Sequence, residues 1–99
     1  MGSGVSRVMT GSFTGTGAAF NVRTVGFRPR AVKLINVDSD DSLEWLNPMA
    51  DAAGYKCLKA GGRAMISADG ITPLSDGFTF GADTDMNASG EAVAWVAYE

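Results

Sequence analysis

The feature that most constrains this chain is the period of its apolar residues. Between glycines they alternate one on, one off, and no stretch of eleven or more residues carries a convincing 3.6-residue repeat. That alternation is the signature of strands, whose side chains point to opposite faces in turn. Thirteen glycines fall at intervals typical of turns. Val5, Met9 and Phe13 share one face of a first strand, and Phe20, Val22 and Thr24 alternate against Asn21 and Arg23. In Ala31 to Val37, Val32 and Leu34 face one way and Lys33 and Ile35 the other. Leu43 to Leu46 follows, ended by Asn47-Pro48. Tyr55 to Lys59 and Arg63 to Ser67 flank Ala60-Gly61-Gly62, the most legible hairpin in the chain. Asp69-Gly70 reads as another turn, Gly77 to Gly81 as a short strand, and Ala92 to Tyr98 as the last one. Met49 to Ala53 is compatible with one helical turn, with Gly54 as its stop. The expectation is an all-β fold: a compact β-sandwich or barrel of about seven or eight short antiparallel strands, with at most one short helix. The 99 residues suffice for one domain, divided into a flexible arm at residues 1–4 and a single β-domain at residues 5–99.

The final strand is informative. Val93, Trp95 and Ala97 point to one face, and Ala92, Ala94, Val96 and Tyr98 to the other, so both faces are apolar. Such a strand is either central and covered on both sides or meets another subunit. Charged residues are only 19% of the chain, below the usual quarter. Either part of the surface is covered by a partner, or this is a compact Gly-rich β-protein with a neutral exterior. Phe27, Leu34, Phe78 and Trp95 are expected in the core, and so is the thiol of Cys57, the single cysteine.

Charge and chemistry narrow the function classes. Net charge is −3 and the pI about 4.7, which argues against nucleic acid as the main partner. Arg23, Arg28, Arg30 and Lys33 form a local basic stretch beside Asp38, Asp40 and Asp41, a pattern of interdigitated protein contacts or of a solvated rim. With no histidine in the chain, the commonest general base and most zinc sites are absent. The carboxylates Asp38, Asp40, Asp41, Asp83 and Asp85 all fall in turn-like segments and read as solvated. Asp83 to Asn87 places oxygen-bearing side chains as a calcium loop does. An EF-hand would also need Gly at position 88 and Glu at position 94, where the chain has Ala88 and Ala94. Asp38 to Ser42 fails likewise, at Leu43. No cofactor or metal is expected and no enzymatic activity. No apolar run approaches the roughly 20 residues needed to span a bilayer as a helix, so no membrane partner is expected either. Trp45, Trp95, Tyr55 and Tyr98 are either core residues or platforms for sugar rings.

Several of these segments form an ordered pattern: Gly26-Phe27-Arg28-Pro29-Arg30-Ala31-Val32 leading to Asn36, then Trp45, Gly70-Ile71, Gly77-Phe78-Thr79-Phe80-Gly81, Asn87-Ala88-Ser89-Gly90 and Ala94-Trp95-Val96-Ala97. The pattern resembles small structural proteins and domains of tailed-bacteriophage virions, over roughly residues 11–98. The resemblance implies a head-decoration, or capsid cement, protein, made in the host bacterial cytoplasm and carried on the phage head surface. Its implied partner is the major capsid protein, with self-association into a homo-oligomer, a trimer being the natural form. The alternatives are a tail or baseplate subunit and a carbohydrate-binding β-sandwich module. The candidate interface residues are Val5, Val8, Arg23, Arg28, Arg30, Val96 and Tyr98. The arm at residues 1–8 is expected either to clamp a neighbouring subunit or to be a loose tail.

Overall fold

The computed structural model describes residues 7–99, so the 1–4 arm and Val5 lie outside the described residues. Eight strands account for the regular structure: β1 (Val8–Thr14), β2 (Phe20–Val22), β3 (Ala31–Asn36), β4 (Asp41–Leu46), β5 (Ala53–Cys57), β6 (Arg63–Leu74), β7 (Gly77–Phe80) and β8 (Ala92–Tyr98). They form one antiparallel sheet in the order β1-β8-β3-β4-β5-β6-β7-β2, the all-β architecture expected from the alternation. The sheet curls on itself into an open half-barrel. The curl brings β7 across from β8, where Phe78 meets Trp95 edge to face with ring centroids 5.5 Å apart.

Parity along the strands decides what the curl encloses. Val32 and Leu34, Leu43 and Trp45, and Val93, Trp95 and Ala97 all face inward and are buried. Phe27, Leu34, Phe78 and Trp95 are in the core as expected. Burying a large apolar side chain contributes roughly 1.5–3 kcal/mol, so this shared face is what drives the sheet to close. Gly77 permits the tightest approach. A Cβ there would collide with the carbonyl oxygen of Val22, so β7 could not lie against the end of β2. The trough is sealed near Thr14 by Phe13, Phe20 and Phe80, whose rings pack within 6.0 Å of one another.

Three local expectations are corrected. Asp69-Gly70 is not a turn but a bulge inside β6. Asp69 takes φ 64°, and the β5–β6 register shifts between Ala53 and Gly54, whose partners are Ile71 and Ile66. The extra residues bend β6, so its first half pairs with β5 and its second half with β7. Met49 to Ala53 forms no helix. Ala52 adopts φ 65°, outside the helical region, and Gly54, instead of stopping a helix, sits within β5 over the side chain of Leu43. Cys57 is not a core thiol: it is half-buried on the outer side of the sheet, opposite Arg63. The inward position beside it belongs to Lys56.

Candidate interaction surface

The strand registers place the outward side chains in rows across the sheet. One row runs Val8, Tyr98, Ala31, Leu46. The next runs Thr10, Val96, Lys33, Glu44, Tyr55, Met65, and the next Ser12, Ala94, Ile35, Ser42, Cys57, Arg63. Val37 continues the parity of β3. Seven large hydrophobic residues are exposed among the described residues, and six of them, Val8, Ile35, Val37, Leu46, Met65 and Tyr98, lie on this one face. The seventh, Met9, has inward parity but belongs to the edge strand β1. Strands spaced about 4.8 Å apart, with six or seven residues at about 3.3 Å each, make the β1-β8-β3-β4 part of the face roughly 400 Å² in plane. Apolar side chains cover only part of that area, in two rows on either side of the Thr10-Lys33-Glu44 row. A shallow groove of about 640 Å³ runs along it between Thr10, Ser12, Lys33, Ile35, Ala94 and Val96.

The centre of the face carries no net charge, and Arg63 lies at its β6 margin. Lys33 and Glu44 are cross-strand partners and bond to each other at 3.1 Å. The contact raises the Lys33 pKa, chiefly through the hydrogen bond to Glu44. Both side chains reach water, so the pair adds little stability, but it removes net charge from the middle of the patch.

Of the interface residues expected from sequence, the structure brings Val8, Val96 and Tyr98 together: Val8 is the register partner of Tyr98, and Thr10 that of Val96. The arginines lie elsewhere. Arg23 is exposed and bonded to Asp76 at 2.8 Å. Arg28 and Arg30 flank the corner between β2 and β3, beside a hollow of about 450 Å³ whose walls include Arg7, Trp45, Asn47 and Glu99. Arg7 stacks over Phe27 at 5.1 Å and bonds to Glu99. That hydrogen bond holds the Glu99 carboxyl below the usual carboxylate range. Ile35, Val37, Leu46 and Met65 were missed as surface candidates, although Ile35 already opposed Val32 and Leu34 in parity. Trp45 and Trp95 are buried and offer no ring face to a sugar. Asn87, in the sequon Asn87-Ala88-Ser89, is fully buried.

Nor are all the acidic turn residues solvated. Asp41 and Asp83 are buried. Asp41 accepts from the backbone N–H of Lys59, and Asp83 accepts from those of Asp85 and Met86. The Lys56 ammonium, its side chain only 15% exposed, bridges Asp83 at 2.9 Å and Asp85 at 2.8 Å. Burial pulls its pKa down, but the hydrogen bonds to Asp85 and Asp83 outweigh burial and leave it raised. Lys56→Met should therefore strand the buried Asp83 charge and lower stability by about 3 kcal/mol, the low end for breaking a buried pair, because Asp85 stays partly open to water. Because the folded pKa lies above the unfolded one, the contribution of Lys56 is fully present below about pH 10.4 and is lost as pH rises through the folded value. Urea melts of both proteins at neutral pH and above pH 11 check this, the gap between them narrowing at the higher pH. Among the described residues no group of three or more His, Cys, Asp or Glu gathers as a metal site would require.

None of the protein-family models, curated proteins or solved structures compared with this chain matches it.

Proposed function

We propose that this chain is a structural protein of a tailed-bacteriophage virion, a head-decoration protein that binds the assembled capsid and bridges neighbouring subunits of the major capsid protein. The observation that carries this reading is the concentration of six exposed large hydrophobics on one sheet face, whose two central charges, Lys33 and Glu44, neutralise each other. A free-standing domain gains nothing from such a face, whereas an assembly protein buries it. The ordered turn-and-core pattern from Gly26 to Ala97 directs that assembly role toward virions. The chain works through its surface rather than through an active site: a ligand that binds only the intact shell stabilises it by mass action, and many symmetric attachments add avidity without new contacts.

Locating and counting the chain in purified particles tests the proposal. Hundreds of copies on the head surface are expected. Tens of copies or fewer at the tail would replace this reading with a tail or baseplate subunit, and absence from the particle would remove both.

A further inference from the structure

The two edges of the sheet are unequal. β2 is three residues long and runs directly into Arg23, and brevity and charge are the usual protections of an edge. β1 has neither. It is seven residues long, Val8-Met9-Thr10-Gly11-Ser12-Phe13-Thr14, with no charged residue and no proline. It pairs with β8 without a register shift, so no bulge turns it away.

The direction of its backbone groups follows from its ends. Just before β1, Arg7 accepts from the N–H of Glu99, and just after it Gly15 donates to Glu91. Antiparallel pairs alternate between hydrogen-bonded and non-hydrogen-bonded positions. The odd residues Met9, Gly11 and Phe13 therefore bond to β8. The N–H and C=O groups of Val8, Thr10, Ser12 and Thr14 point away from the sheet, and all four residues are exposed.

We propose that β1 pairs antiparallel with β1 of a second copy of this chain, about a two-fold axis through Gly11. The strand is self-complementary in that register. Val8 faces Thr14 of the second copy and Thr10 faces Ser12, so the four outward-bonding residues on each strand meet one another and the two hydroxyls pair across the join. On the inner side Met9 faces Phe13 of the second copy. This accounts for Met9, the one exposed large hydrophobic among the described residues that is not on the outer face: in this register it gains an apolar neighbour, and a sulfur against an aromatic ring is a favourable contact. Gly11 falls at the axis, where the strands approach most closely. It has no room for a side chain on its own account, since a Cβ there would press on the indole of Trp95. Both outer faces stay on the same side of the joined sheet, so the pairing makes one apolar surface twice as wide. The contact is isologous and closes as a dimer, unlike the trimer that the virion resemblance implies, and it does not depend on a virion role.

Thr10→Pro is the decisive variant. It deletes an N–H that no strand among the described residues uses, and proline is tolerated on edge strands at such positions. Light scattering on the purified full-length protein should give twice the 10.3 kDa monomer mass for the parent and the monomer mass for Thr10→Pro, with the same circular dichroism spectrum. Thr10→Lys/Ser12→Lys keeps every backbone group and places like charges across the join, so it should also give monomers even if the proline variant fails to fold. Ile35→Lys, on the sheet face, should remain dimeric. A parent that is monomeric up to its solubility limit, or trimeric, overturns the proposal. So does a dimer that survives both β1 variants, or one that Ile35→Lys alone dissolves.

Discussion

Phe78→Ala should lower the free energy of unfolding by about 3–5 kcal/mol, the range for emptying a large aromatic site in a packed core. Phe78 has no exposed surface. Its ring meets Trp95 edge to face at 5.5 Å, which adds about 0.5–1.5 kcal/mol beyond the buried area. That contact joins the seventh strand in sheet order to the second, so it holds the curl itself rather than one hairpin. The neighbours have little freedom to collapse into the space. Gly77 is pressed on the carbonyl of Val22, and Gly81 on the backbone of Asp69, which pins β7 at both ends. Domains of this size hold only about 5–15 kcal/mol in all. A loss of that order should move the melting temperature down by on the order of 10–40 °C. Phe78→Leu, which leaves a much smaller space, should cost well under half as much. Equilibrium urea unfolding of the three proteins checks the order; equal midpoints for Phe78→Ala and the parent would mean that the curl is held elsewhere.

The same residues show what could be read without a structure. Phe78, Leu34 and Trp95 each lie in an alternating segment, and alternation is local, so their inward parity was legible. The hairpin at Ala60-Gly61-Gly62 was legible for the same reason: the turn and both its strands are contiguous. Asp69-Gly70 was not. A left-handed Asp followed by Gly serves a turn or a bulge equally well, and the outcome depends on whether the flanking segments pair with each other or with different neighbours. Here they pair with β5 and β7. Parity alone could not orient β5 either. Lys56 faces inward because Asp83 and Asp85 wait there, 27 and 29 residues away in sequence, and Cys57 is turned outward as a consequence. The interaction surface was half legible. The outward apolar parity of Ala92, Ala94, Val96 and Tyr98 could be read, but the patch exists only because β8 is inserted between β1 and β3. That order sets Val8, Ile35 and Leu46 within the same rows, and no local pattern encodes strand order.

The second large effect is expected at Asn87, whose side chain ties the loop between β7 and β8 to the connection between β1 and β2. Its amide Nδ2 donates to the carbonyls of Ala18 at 2.9 Å and Gly81 at 2.8 Å, while Oδ1 accepts from the N–H of Thr16 at 2.9 Å. The residue is fully buried, and no buried side-chain polar atom among the described residues lacks a partner. Asn87→Ala removes three bonds at once and leaves their backbone partners short of water. At about 1–3 kcal/mol for an unsatisfied buried group, with part of the Ala18 and Thr16 backbone near solvent, the loss should total about 2–4 kcal/mol. Asn87→Asp separates hydrogen bonding from shape. An ionised carboxylate keeps the acceptor for Thr16 but turns its second oxygen, with no proton, toward two carbonyl oxygens, so at neutral pH this variant should be at least as unstable as the alanine one. Burial and the facing carbonyls both disfavour the charge, raising the pKa of the introduced carboxyl in the folded state above the ordinary value near 3.9. Below that ordinary value the carboxyl is protonated in both states and its O–H restores one of the two lost bonds; as pH rises through the folded value that gain is lost. Relative to the parent at each pH, Asn87→Asp should therefore recover part of its stability in acid, while the deficit of Asn87→Ala stays flat. Urea midpoints of the three proteins at pH 3 and pH 7 measure the difference, and a pH-independent deficit for Asn87→Asp would show that its carboxyl has moved out to water and that the loop does not hold position 87 against Gly81.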